Sequence, residues 1–192
     1  MQIPIWPLPK SFSITTENGK TSLISKNEFQ VSIVNAQECE KRFLEDAIER
    51  FETIALSSEE EENPFRRVVL PPLRNESYTK VNGKVVFSKL TIKLEPLGAE
   101  SCVTRTKIQF GTNESYALEV NTESGTLIAE NVFGALRGIE TFAQLISMSS
   151  VKSYHNLAEN LLPLRVEDEP RFAWRGLLLD TARHFFSVDQ SG

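Results

Sequence analysis

Little in this chain belongs to the common catalytic vocabularies. In 192 residues there are two cysteines, Cys39 and Cys102, and two histidines, His155 and His184. One pair of cysteines cannot make a disulfide framework; it is either two buried thiols or a single bridge. Histidine this sparse leaves no His-Glu-x-x-His zinc helix, and nothing supports a Cys-His nucleophile pair. The Walker loop, the dinucleotide glycine fingerprint and the Gly-x-Ser-x-Gly elbow are all missing. Positive charge is short as well: 21 Lys and Arg stand against 26 Asp and Glu, a net charge of −5. Nucleic acid and anionic membranes call for a clustered basic surface, so neither is an expected partner. No apolar run reaches the roughly 18 residues that a bilayer span requires. The leading stretch MQIPIWPLPKSFS has no basic start and carries three prolines. A signal peptide needs a continuous apolar core there. The chain therefore reads as cytosolic, or as written without its targeting segment.

What is present is ordinary for a water-soluble globular protein: 40% hydrophobic and 24% charged residues. The length suggests one domain with part of a second. Two sequons, Asn75-Glu76-Ser77 and Asn113-Glu114-Ser115, sit in polar, loop-like stretches that could accommodate a glycan. The acidic run within residues 57–80 lacks the Asp or Asn ligands and the glycine of a calcium loop. It reads as a solvated surface loop, and no metal site is expected.

Hydrophobic period supplies the architecture. Residues 29–34, FQVSIV, alternate as a half-buried strand does. From 36 to about 56, Cys39, Phe43, Ala47, Phe51 and Ile54 recur at helical spacing, with Leu44, Ile48 and Ala55 beside them. Asn82-Gly83 signals a turn. Leu90, Ile92 and Leu94 then alternate with Lys89, Thr91 and Lys93, predicting a strand with one wet face. Tyr116, Leu118 and Val120 repeat the pattern, and TESG followed by TLIA predicts a hairpin. A helix is predicted over 131–148, capped by Asn131, with Val132, Leu136, Ile139, Phe142, Ala143 and Ile146 buried. Gly134 and Gly138, four apart on that helix, predict close packing against a sheet. Signals weaken over 149–169, and a domain boundary is expected near 168–170. The sum is an α/β (α+β) fold, a mixed sheet with helices packed on one face.

Residues 170–186, PRFAWRGLLLDTARHFF, hold the densest cluster of chemistry. GLLLD has the continuous apolar run of a strand buried on both faces. Asp180 ends it, where parallel strands place active-site groups. Arg175 opens it, and Arg183 and His184 follow. The same residues also fit a structural role, with Asp180 and Arg183 as an ion pair and Trp174 in a core.

This stretch resembles the start of the catalytic barrel in the β-N-acetylhexosaminidases of glycoside hydrolase family 20. The shared pattern is Pro-Arg-Phe, two variable residues, Arg-Gly, three apolar residues, Asp-Thr, a small residue and Arg-His-aromatic. Two further stretches resemble the family: ESYALEV with IAENVFGALRGIETFAQLI, as the last hairpin and helix of its N-terminal domain, and IWPLPKSF near the start. Residues 57–112 match only loosely. The resemblance implies an N-terminal α/β domain over 1–168 and the truncated start of a TIM (β/α)8 barrel over 169–192. It implies removal of terminal β-linked N-acetylglucosamine or N-acetylgalactosamine from glycans or glycolipids. The reaction is retaining and substrate-assisted, an exception to the two-carboxylate scheme, and uses no metal or organic cofactor.

Carried over by position, Arg175 corresponds to an arginine holding hydroxyls of the terminal sugar, while Asp180, Arg183 and His184 support it or serve structure. Arg175 begins the expected strand, whereas barrel sites lie at strand C-terminal ends, so its side chain would have to reach upward. Cys39 and Cys102 occupy the places of a family disulfide, implying a secreted or lysosomal protein. A bridge there would close a loop of about 60 residues and stabilise by roughly 4 kcal/mol in the chain-entropy model. The family's Asp-Glu catalytic pair lies downstream, so no catalytic residue is expected in this chain and it is expected to be inactive alone. The rest of a barrel and a homo- or heterodimer partner are implied. The alternative is a non-catalytic accessory, interface or sugar-binding module.

Overall fold

The computed structural model describes residues 3–15, 20–56, 85–96, 105–148, 154–178, 180 and 183. The expected loop at 57–80, the turn at Asn82-Gly83, and Asn75, Cys102 and His184 lie outside the described residues.

Among the described residues, nine strands and two helices make up the fold: β1 (Ser11–Ile14), β2 (Lys20–Ile24), β3 (Gln30–Val34), α1 (Glu38–Ala55), β4 (Lys89–Leu94), β5 (Tyr116–Val120), β6 (Ser124–Ala129), α2 (Val132–Gln144), β7 (Ile146–Met148), β8 (His155–Leu162) and β9 (Leu164–Asp168). Six strands form one mixed sheet in the order β1-β9-β5-β6-β4-β3, and β2-β8-β7 form a second, antiparallel one. In the large sheet β3, β4 and β6 run parallel, while β6, β5, β9 and β1 are antiparallel neighbours. The period-two reading of β4 and β5 holds residue by residue. Leu90, Ile92, Leu94, Tyr116, Leu118 and Val120 are buried, and Lys89 and Lys93 face water.

Helix α2 covers the apolar face of β4, β5 and β6, and α1 packs against α2. The Asn131 side chain caps α2, its Oδ1 accepting from the Phe133 N–H at 2.9 Å and the Gly134 N–H at 3.2 Å. A Cβ on Gly134 would collide with the Ser115 carbonyl oxygen, and one on Gly138 with the Leu127 side chain. The two glycines thus let the helix backbone lie directly on β5 and β6. Phe29, Phe51, Phe87 and Phe142 cluster between helices and strands, with ring centroids 5.6–6.1 Å apart.

Four expectations need correction. The second helix ends at Gln144, because residues 146–148 leave it to pair with β8. The buried stripe of α1 runs through Glu40, Leu44, Ala47 and Phe51. Phe43 and Ile54 sit at its margin, 37% and 39% exposed. The weakly patterned 154–168 stretch is two strands, and β9 lies inside the large sheet between β1 and β5. Left-handed backbone at Ala158 (φ 48°) and Asn160 (φ 56°), and a register shift against β2, break the alternation that sequence reading relies on. Finally, residues 176–178 form no strand, and the described residues contain no barrel. Leu177 and Leu178 are 90% and 85% exposed. An apolar strand needs flanking strands for its backbone and side chains, and no described strand flanks this one.

Candidate functional site

The chemistry-bearing residues converge where β5 begins. Glu114 stands two positions before Tyr116, in phase with the inward side chains of β5, and is 7% exposed. A carboxylate on a buried face needs charged partners. It has two. Arg137, midway along α2, donates Nε to Glu114 Oε2 at 2.8 Å. Arg175 donates Nη2 to Glu114 Oε1 at 2.5 Å. The other terminal nitrogen of Arg175 donates to the Phe172 carbonyl, tightening the turn that carries it. Burial alone would push the Glu114 carboxyl up, but the hydrogen bonds and charges of Arg175 and Arg137 outweigh it and hold the group below its ordinary value.

A second fastening lies two residues along the same strand. The Tyr116 hydroxyl meets Thr141 Oγ1 at 2.5 Å and donates to Asp168 Oδ2 at 3.5 Å. Burial, with the Asp168 charge beside it, pushes the phenol up to about 12. Asp168 also accepts the Lys10 backbone N–H at 2.9 Å. An open depression of about 630 Å3 borders these groups, lined by Lys10, Asn113, Glu130, Asp168 and Glu169 among others. Its acids are largely engaged: Glu130 with Asn113, Asp168 with Tyr116 and Lys10, Glu169 with Lys10. The rim is a hydrogen-bonded seam between strands.

The remaining sequence-predicted residues are dispersed. Asp180 Oδ2 pairs with Arg183 Nε at 3.2 Å and Asp180 Oδ1 accepts the Arg183 N–H at 3.2 Å. The Arg183 side chain is 91% exposed. Trp174, weighed as core, is 81% exposed. Asn113 is exposed on the loop before β5. Cys39 is half-buried in the first turn of α1, and no described cysteine is free. No described group of three or more His, Cys, Asp or Glu could hold a metal. No described helix is long and apolar enough to cross a membrane.

Sequence reading missed Glu114 and Arg137, and likewise the pair Glu40 and Arg105. Glu40 is fully buried in the α1 stripe, and its Oε1 accepts Arg105 Nε at 2.7 Å. Its other oxygen accepts the Gln37 N–H at 2.8 Å, completing the start of the helix. In both cases the signal was available: a carboxylate in the inward phase of an otherwise apolar pattern.

Comparison with known proteins places this fold in a family. The profile of the family described as "beta-acetyl hexosaminidase like" matches residues 5–145. The chain belongs to that family. Among curated β-hexosaminidases, it is 32% identical to β-hexosaminidase subunit B1 of Dictyostelium discoideum over 188 residues, 97% of this chain and 28% of that one. It is 31% identical to β-hexosaminidase subunit alpha of Bos taurus over 96% of this chain and 30% of the relative. Among solved structures, the chitobiase of Flavobacterium johnsoniae aligns at 27% identity and a TM-score of 0.58, covering 98% of this chain and 24% of that one. The β-N-acetylhexosaminidase of Streptomyces coelicolor shares the fold at 20% identity and a TM-score of 0.54, over 97% of this chain and 30% of that one. The chain thus spans less than a third of each of these proteins.

Proposed function

We propose that this chain is the front, non-catalytic domain of a β-N-acetylhexosaminidase that releases terminal N-acetylglucosamine or N-acetylgalactosamine. The observation that carries the reading is the family match over residues 5–145 in a chain that spans about 28% of a relative's length. In the retaining, substrate-assisted reaction, the substrate's acetamido oxygen attacks the anomeric carbon. A glutamic acid protonates the leaving oxygen, and the aspartate before it orients the acetamido group. Both belong to the remainder of the barrel. This chain's part is to position the segment that leads there. Arg175 is committed to Glu114, which makes it the anchor of that segment. Any sugar contact by Arg175 has to be made while its guanidinium is shared. The reading keeps Arg175 as the arginine that holds hydroxyls of the terminal sugar, through the guanidinium N–H groups not given to Glu114 and Phe172, with Asp180, Arg183 and His184 in supporting or structural roles. The reading includes a lysosomal or secreted location, a Cys39–Cys102 bridge, and glycans on Asn75 and Asn113.

The test is hydrolysis of a chromogenic N-acetyl-β-glucosaminide by the 192-residue chain and by the longest product of its reading frame. The expected result is no turnover by the first and turnover by the second. Turnover by the short chain overturns its assignment as non-catalytic. A reading frame that holds no Asp-Glu pair overturns the enzyme and favours an accessory module.

A further inference from the structure

We propose that Asn113 carries an N-linked glycan whose first N-acetylglucosamine packs against the ring of Phe110. The proposal rests on the secretory reading above and goes beyond it by naming the surface that receives the sugar. Gln109, Phe110, Gly111 and Thr112 form a tight turn, closed by the Thr112 N–H donating to the Gln109 carbonyl at 3.1 Å. Gly111 at φ 82° occupies the third position, where a type II turn needs a positive φ. The Thr112 hydroxyl reinforces the turn, accepting the Gln109 N–H and donating to the Gln109 carbonyl, both at 2.9 Å. Phe110 is held at the corner and is 82% exposed. It joins none of the ring pairs of the aromatic cluster. A rigid turn that presents a bare aromatic ring to water forgoes burial that such a side chain normally finds.

The acceptor lies three residues on. Asn113 is exposed, its Oδ1 accepts the Ser115 N–H at 2.9 Å, and its Nδ2 donates to Glu130 Oε2 at 2.5 Å. An amide nitrogen carries two hydrogens, so Glu130 occupies one and leaves the other replaceable. In the transfer, a bond forms between Nδ2 and the sugar's C1. The bond from C1 to the phosphate oxygen of a lipid-linked oligosaccharide diphosphate breaks, and the displaced amide proton leaves to a base. Three peptide units separate Phe110 from Asn113, a span of at most about 10 Å that the turn shortens. The first sugar on Nδ2 is therefore within reach of the ring. The C–H face of a pyranose meets the negative face of an aromatic ring favourably and covers apolar surface.

The experiment uses the chain secreted from a eukaryotic host, with the glycan trimmed to its first sugar, beside an unglycosylated Asn113→Gln form. Each is made with Phe110 and with Phe110→Ala. Glycopeptide mass reads occupancy, and thermal unfolding reads the four species. The expected result is an occupied Asn113 whose sugar raises Tm by about 2–4 °C with Phe110 in place and leaves it unchanged in the Phe110→Ala background. Proton resonances of the sugar should also shift upfield in the Phe110 form alone. An occupied Asn113 with the same Tm increment in both backgrounds overturns the platform and leaves the secretory reading standing. An unoccupied Asn113 overturns both.

Discussion

Glu114→Gln tests the arrangement at the start of β5. The substitution keeps size and one acceptor oxygen, removes the charge, and turns an amide N–H2 toward an arginine. Two charge-assisted hydrogen bonds are weakened, to Arg137 at 2.8 Å and to Arg175 at 2.5 Å. Breaking a fully buried ion pair costs about 3–5 kcal/mol. Here the arginine side chains are 46% and 37% exposed, so each rehydrates when released. The loss should fall to about 2 kcal/mol, which for a chain of this size lowers Tm by about 4–8 °C. The sign with pH follows from the carboxyl being held below its ordinary 4.5 in the folded state. Its contribution is present above the unfolded value and is lost as pH falls through the lowered folded value. Urea titrations of both proteins from about pH 7 down to about pH 3 should therefore show a gap that is constant near neutrality and closes in acid. Proteolysis within 170–178 should accelerate in the variant near neutral pH. Equal midpoints near neutral pH, or a gap that persists unchanged in acid, would refute the account of Glu114 as a charged anchor.

Two further outcomes follow from the packing and the cysteines. Gly134→Ala should destabilise by about 2 kcal/mol, because a helix gain of about 1 kcal/mol is outweighed by a collision with a backbone carbonyl that cannot step aside. Gly138→Ala should cost less, about 1 kcal/mol, since its Cβ meets the end of the Leu127 side chain and not backbone; equilibrium unfolding of both variants reads the order, and a reversed order refutes the contact assignment. For the proposed bridge, a non-reducing peptide map of the secreted chain should yield Cys39 and Cys102 in one linked species, and recovery of two free thiols counts against it.

The sheet and α2 were readable because their residues obey one period at a time. Tyr116, Leu118 and Val120 alternate without interruption, and the glycines of α2 are spaced to fit one face. The 154–168 strands were not readable, because backbone at positive φ resets the phase twice within β8. Residues 176–178 misled for a different reason. Their apolar run is written for neighbours on both faces, and periodicity reports what a segment would bury, not whether a partner strand is present. The candidate site was half legible. Arg175 was singled out, but its partner was hidden inside a sequon, where Glu114 read as a filler residue. Burial phase, applied to charged residues as strictly as to apolar ones, would have found both Glu114 and Glu40.

The two fastenings at β5 bear on the boundary expected at 168–170. Asp168 is held by Tyr116, and Arg175 by Glu114. The stretch from Asp168 to Arg175 could carry the chain up to about 25 Å away if extended. Yet the two holding residues are only two positions apart, at most about 7 Å along their strand. Residues 169–174 are therefore tethered at both ends to one strand, and do not run outward as a free linker. A loop pinned at both ends by one strand transmits the position of that strand to whatever follows Arg175. The buried carboxylate at Glu114 is costly to desolvate, and an apolar residue in its place would serve the core as well. What an apolar residue cannot do is select one guanidinium at one register. On the proposed reading, that specificity is the physical reason for a charge there, and Arg175 is the residue through which the front domain aims the next segment.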